Sequence, residues 1–295
     1  MMKALYSGVS GMRSHQTKMD VIGNNIANVN TNGYKSQRVT FRDVYYQQLR
    51  NPGEASADRG GTNPSQVGYG AQVGSVDTIH TISGWAPTNK PTDVFINGEG
   101  YFVVETSSGE QLFTRLGALG FDSSGNLVDV NGSRVLGWNT VTKDANGNPT
   151  VTGDPAPVTV KDTADTKYTN ITINPDGTIT AIYNYKGTGT PPAEDGTIVT
   201  LGLVTVANVP NQDALILEGN SYYRAGNNTG DITYEIPGSK GSGTGALVTG
   251  ALEMSNVDLA NEFSDMIVTQ RGFQANTKII SVVDQMLEEL VNLKR

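Results

Sequence analysis

A chain of 295 residues with a net charge of −8 and an isoelectric point near 4.8 is long enough for two domains, and it lacks the basic face that nucleic-acid phosphates require. It has no cysteine, which excludes disulfides and thiolate metal sites, and only two histidines. No run approaches the ~18 consecutive apolar residues of a membrane-spanning helix, and the opening MMKALYSGVSGM lacks the continuous apolar stretch of a cleavable signal peptide.

The first predicted element is a helix. Leu5, Met12, Met19 and Ile26 recur every seventh position, with Val9 and Ile22 beside them at helical spacing, and no proline occurs before Arg50. Asn28, Asn30, Asn32 and Gly33 then tolerate turns and left-handed backbone, so the helix is expected to stop here, with Gly33 as the turn point. Val39, Phe41, Val44, Tyr45 and Leu49 suggest a short strand or helix over 34–50. The Gly-, Pro- and Ser-rich text from Asn51 to Gly74 reads as a long loop, so 31–75 is expected to be an extended connector.

Strand-forming residues begin near Val76. Val94 and Ile96, then Tyr101 to Val104, are divided by Gly98 and Gly100. Asp122–Gly125, Asn131-Gly132 and Asn174-Pro175-Asp176-Gly177 read as hairpin turns, the Asn-Gly pair as a tight primed one. Thr197 to Val206 and Leu215 to Leu217 are further strands. Residues 76–250 are therefore expected to form an antiparallel all-β outer domain, with 140–200 as a small outer lobe and 237–250 as a flexible return linker.

A second helix follows, capped by Ser255 or Asn256, with Asp258 complementing its positive end. Its seam is Leu259, Met266, Phe273, Ile280 and Leu287, joined by Phe263, Val283 and Leu290. From Leu259 to Leu287 it would be about 42 Å long. Residues 1–50 carry seven basic residues against two acidic, a balance of +5, whereas 251–295 carry four against seven, a balance of −3. Opposite signs favour pairing the front helix with the rear one, within a chain or between neighbours. Gly8, Gly11, Gly23 and Gly272 each cost a helix about 1 kcal/mol relative to Ala, which either close approach or plain tolerance explains. The expected fold class is α+β: paired N- and C-terminal coiled-coil-like helices (1–30 with 255–295), extended connectors and an antiparallel outer domain.

Chemistry is scarce. His15 and His80 stand in no metal-ligand spacing with carboxylates, and the Asp/Asn-Gly loops lack the twelfth-position Glu of a calcium loop. The glycines of GEGYF and GVSGM lack the strand–loop–helix context of a phosphate cradle, and no nucleophile-elbow pattern appears. Neither enzymatic activity, a cofactor nor a metal is expected.

Residues 5–44, above all DVIGNNIANVNTNGYK (20–35) with Asn24, Asn25, Asn28, Asn30 and Gly33, resemble the N-terminal signature of bacterial flagellar rod and hook proteins. GGTNPSQVGYGAQVGSVDTIH (60–80), TDVFINGEGYFVV (92–104) and residues 251–293 resemble the family's following segments, in the same order. The resemblance implies a homopolymeric helical tube lined by the terminal helices, non-enzymatic, outside the cell, and delivered by the flagellar type III export apparatus. It also implies contact with the distal rod, hook cap and hook–filament junction proteins. Phe41 with Tyr45 fits the family's short export motif. Residues 60–80 look closest to hook proteins of the shorter type, which implies a flexible tube carrying torque from rod to filament. The segment 46–61 resembles the longer connector of distal rod proteins, the alternative. An adhesin with a helical stalk and β head is the competing class.

Overall fold

The computed structural model describes residues 2–54, 60–143, 149–151, 153–160, 166–185, 196–239 and 243–293. The chain forms two compact units, one of Met1–Val29, Ser36–Ile79 and Val257–Arg295, the other of Asn30–Lys35 and His80–Asn256. It therefore passes from one to the other at 29/30, 35/36, 79/80 and 256/257.

The first unit holds helix α1, Met2–Ala27, and helix α2, Leu259–Asn292. Helix α1 stops where the asparagine-rich run begins, its last turn closed by the Asn28 amide donating to the Asn24 and Asn25 carbonyls, each at 3.2 Å. Helix α2 is capped by Asp258, whose carboxylate accepts from the amides of Ala260 and Asn261, and not by Ser255 or Asn256. Those two residues are engaged elsewhere: the Ser255 carbonyl accepts from the Ser83 hydroxyl, and the Asn256 amide donates to Thr81.

Between the helices in sequence lies a long two-stranded ribbon. Strands β1 (Gln37–Asp43) and β2 (Tyr46–Arg50) run antiparallel to β4 (Ala71–Thr78) and β3 (Ser65–Gly68), respectively. Val44 to Gly70 and Tyr69 to Tyr45 backbone bonds carry the ladder across the gap between the two pairs. The span Asn51–Gly74, expected as a loop, is thus paired strand over 65–68 and 71–74, with a bridge between Gly53 and Thr62, while 55–59 lie outside the described residues. Glycines hid the alternation, while ladder bonds come from backbone and need no particular side chain. Gly70 has φ +114°, and a Cβ there would collide with the Ser10 hydroxyl and Ser7 backbone of α1, so only glycine brings the ribbon this close to the helix.

The described strands of the second unit all pair antiparallel, with one short 3-10 helix, Gln212–Ala214, among them. Strand β5 (Trp85–Pro87) pairs with Ala251–Glu253, and β6 (Val94–Asn97) with Ala246–Thr249. The expected flexible linker 237–250 is therefore partly a strand, its residues 240–242 lying outside the described ones. Strand β7 (Tyr101–Glu105) is the centre of a sheet of 13 described strands, bonded to β8 (Gln111–Thr114), to β9 (Arg134–Trp138) and to Val206–Asn208. Its alternation divides the interior in two. Phe102 and Val104 join Leu119, Leu127, Val135, Ile173 and Val204 on one face, and Tyr101 and Val103 join Phe113, Leu136 and Tyr223 on the other. Strands Thr166–Ile173, Thr178–Tyr185 and Ile198–Val204 continue the sheet from β9. The first two of these strands fall within 140–200, where a lobe is expected, and the third begins there; 144–148, 152, 161–165 and 186–195 of that span lie outside the described residues.

Four hairpins share one turn. In Thr106–Glu110, Asp122–Asn126, Asp129–Ser133 and Asn174–Thr178 the first amide bonds the fifth carbonyl and the fourth amide the first carbonyl. The fourth residue is Gly109, Gly125, Gly132 or Gly177, at φ +82°, +80°, +83° and +80°. This is a three-residue loop closed by one left-handed glycine, not the primed turn expected at Asn131-Gly132, because Asn131 keeps a negative φ. Asp122 and Asp129 stabilise it by accepting amides two and four residues on.

Candidate assembly site

The helix pair of the first unit is antiparallel. Gly8 lies against Ile280, Gly11 against Asn276, His15 against Gly272, Lys18 pairs with Asp265 at 3.1 Å, and Asn25 bonds Glu262. A Cβ on Gly11 would come within 2.8 Å of the Asn276 amide nitrogen, and one on Gly272 within 2.7 Å of the His15 ring. Gly23 faces open space. Close approach therefore explains Gly8, Gly11 and Gly272, and tolerance explains Gly23.

Of the residues expected on the seams, Ile22 and Val283 are buried, and Leu5, Val9, Met12, Met19, Ile26, Met266, Phe273 and Ile280 are half-buried. Leu259, Phe263, Leu287 and Leu290 are exposed, as are Ile267, Val268, Ile279, Val282, Met286 and Val291, so α2 carries a second apolar surface that α1 does not cover. Small and polar residues fill part of the contact instead. Gly8, Asn25 and Thr269 are buried, as is Ser14, whose hydroxyl faces the ribbon and lies 3.3 Å from the Ala71 carbonyl, positions that an apolar periodicity cannot find. Phe41 packs edge-on to His15 at 5.7 Å and Tyr45 stacks on Tyr69 at 4.5 Å, both within the first unit and both partly exposed.

The asparagine signature divides between the two units. Asn24 accepts from the Asn28 side chain. Asn25, 1% exposed, donates to the Gln37 carbonyl at 2.8 Å and to the Glu262 carboxylate at 2.9 Å, and accepts from the Gln37 amide at 3.0 Å. One side-chain amide thus joins α1, β1 and α2 with its bonding groups used on both sides. Burial raises the Glu262 pKa, while the Asn25 bond pulls it back down.

Asn30, Asn32, Gly33 and Lys35 belong to the second unit. Asn30 is exposed; Gly33 stands at φ +71°, donates its amide to the Glu253 carbonyl at 2.9 Å and presses on the backbone of Arg115 and Leu116. Lys35 is buried, its ammonium 2.6 Å from Glu253 Oε1 and 2.7 Å from the Thr81 carbonyl. Glu253 Oε1 also accepts from the Ser83 amide, and Oε2 lies 3.7 Å from Arg115. Arg115 donates to the Gly98 carbonyl at 2.9 Å and sits 5.1 Å from the Tyr101 ring centre. Burial lowers the Lys35 pKa and the Glu253 carboxylate works against that. Two cations on one buried carboxylate escaped the sequence reading because Lys35 counts there as one more basic residue of the front segment.

Beside this cluster, His80 Nδ1 and the Tyr101 hydroxyl share a 2.8 Å hydrogen bond, and the Tyr101 hydroxyl also donates to Gln212. Burial brings the His80 pKa down to about 4 and pushes those of Tyr101 and Tyr223 up. Among the described residues no group of His, Asp and Glu is arranged to hold a metal.

Comparison with known proteins matches three family models in chain order: "Flagella basal body rod protein" over residues 5–35, "Flagellar hook protein FlgE/F/G D1 domain" over 95–181, and "Flagellar basal body rod FlgEFG protein C-terminal" over 248–293. The chain is 43% identical over 295 residues to the flagellar basal-body rod protein FlgG of Bacillus subtilis, covering all of both chains. It is 30% identical over 445 residues to the flagellar hook protein FlgE of Borreliella burgdorferi, again covering all of both. The FlgG of Caulobacter vibrioides is 32% identical over 295 residues, spanning 99% of this chain and 100% of that one.

Proposed function

This chain belongs to the flagellar rod and hook protein family, whose members are structural subunits rather than enzymes, and we propose that within it the chain builds the hook, a flexible tube that carries torque from rod to filament. Polymerisation is supported by the uncovered apolar surface of α2: Phe263, Ile267 and Val268 are 49%, 59% and 65% exposed, more than a solvated helix face needs. Neighbouring copies would cover that surface, making α1 and α2 the inner wall. The hook assignment is carried by residues 60–80, which resemble short hook proteins and supply β3 and β4 of the ribbon. In this reading the chain leaves the cell through the flagellar export apparatus, with Phe41 and Tyr45 in its export motif. It then meets the distal rod, hook cap and hook–filament junction proteins.

A second reading is a distal rod subunit, a straight drive shaft. It is favoured by the end-to-end match with the Bacillus rod protein, whereas the Borreliella hook protein aligns over 445 residues. Electron microscopy of flagella bearing an epitope-tagged chain decides between them: label on a curved, flexible tube supports the hook, and label confined to a straight shaft supports the rod. Deleting residues 2–26 should abolish assembly and motility in either case, and normal tubes in that strain would refute the role given to the helices.

A further inference from the structure

Each buried polar cluster of the signature joins stretches of chain that leave its own unit. In the first unit Asn25 precedes the passage at 29/30, Gln37 follows the one at 35/36, and Glu262 follows the one at 256/257. In the second unit Gly33 and Lys35 lie between the passages at 29/30 and 35/36, Thr81 and Ser83 follow the one at 79/80, and Glu253 precedes the last. All of them bond Glu253 or its partner Lys35. The Ser83 hydroxyl, donating to the Ser255 carbonyl at 2.9 Å, and Asn256, donating to Thr81 at 3.1 Å, tighten the same gathering.

Burying three charges to close a fold is expensive, and apolar residues of similar size usually do it as well. What charge-assisted bonds add is direction. Apolar contact is nearly indifferent to sliding, whereas a short ammonium–carboxylate bond weakens as soon as its geometry is lost.

We propose that the Glu253–Lys35–Arg115 cluster is a mechanical anchor, which gathers the four chain passages where they enter the β unit so that tension or twist on any one is shared by all. The signature lysine is then a load-sharing residue rather than a surface charge. This rests on the reading of the chain as a torque-carrying tube subunit.

The test uses full-length Lys35→Met, Glu253→Gln and the double variant. In unpolymerised protein, amide exchange at Gly33, Ser83 and Met254, which bond the Glu253 carbonyl, the Glu253 carboxylate and the Gly84 carbonyl, should quicken at least tenfold, with Phe102 and Val104 unchanged. The double variant should be no worse than the more severe single one, since the pair acts as a unit. In cells, K35M should assemble tubes in normal number yet lose swimming speed several-fold more in viscous medium than in dilute medium. If K35M does not fold, Lys35→Gln, which keeps a donor toward Thr81 without the charge, is read the same way. Uniform loosening of the unit, no change in exchange, or local loosening with undiminished swimming under load would each overturn the anchor. Wild-type chain absent from tagged flagella would instead sink the tube reading, while the exchange result would still decide whether the cluster gathers the passages.

Discussion

Acid should weaken the β unit through His80, and the size of the effect follows from its surroundings. Its ring meets the rings of Tyr101 and Tyr223 at 6.3 and 5.8 Å and bonds the Tyr101 hydroxyl. Burial is the main force lowering its pKa from 6.5 to about 4; Lys35 and Arg115 add to it and Asp213 opposes them. Between those two values the unfolded chain binds a proton that the native chain refuses. The His80 contribution is therefore complete above pH 6.5 and is lost as pH falls toward 4. At 1.36 kcal/mol per pH unit the ceiling is roughly 3 kcal/mol, and because the ring is only partly buried about 1–2 kcal/mol is expected. Trp85 and Trp138, the two tryptophans of the chain, both lie in this unit, so urea unfolding followed by their fluorescence reports on it alone. His80→Gln cannot titrate. The stability difference between wild type and H80Q should shrink by about 1–2 kcal/mol from pH 7.5 to 4.5, carboxylate effects being common to both. A difference that stays constant over that range would refute the reasoning.

Glycine substitutions in the helices should split by position. Gly23→Ala should raise the helical melting transition by up to about 1 kcal/mol, whereas Gly272→Ala should lower it, with His15→Ala restoring it in the double variant; circular dichroism at 222 nm measures both. Asp258→Ala removes the α2 cap and should cost about 1 kcal/mol, seen as faster amide exchange at Ala260 and Asn261. Gly117→Ala would place a methyl on the Val94 carbonyl oxygen. A loss of more than about 3 kcal/mol in urea unfolding is expected, and a near-neutral result would mean that the backbone there yields.

Periodicity showed what depends on side-chain pattern. The helix ends at Ala27 where asparagines begin, and the continuous apolar run Tyr101 to Val104 is a strand buried on both of its faces. The turns were legible as positions but not as a type, because an x-x-x-Gly loop and an Asn-Gly primed turn place glycine in similar text. The ribbon was not legible, since its ladder is backbone and its sequence is rich in turn-forming residues. Nor was the ionic cluster: Lys35, Arg115 and Glu253 are far apart in sequence, and their meeting depends on strand pairing that no local pattern encodes.

The half-polar contact between α1 and α2 bears on how such a subunit behaves. Ile22 and Val283 are the buried apolar residues of two helices of 26 and 34 residues, and glycines, Ser14, Asn25 and Thr269 occupy other inward positions. Helices gain most of their stability from packing an apolar face, and a pair that buries so little apolar surface between its two members is marginal alone. An apolar seam would have made the pair stable in isolation, and indifferent to further partners. Instead Asn25, with Gln37 and Glu262, fixes how the helices lie together, since hydrogen bonds specify geometry more than they add stability. The apolar residues that would supply the missing stability point outward on α2. If the chain is the tube subunit proposed above, specification within the chain and stabilisation between chains fall to different residues, and the helices would be set in register before assembly but become rigid only through it.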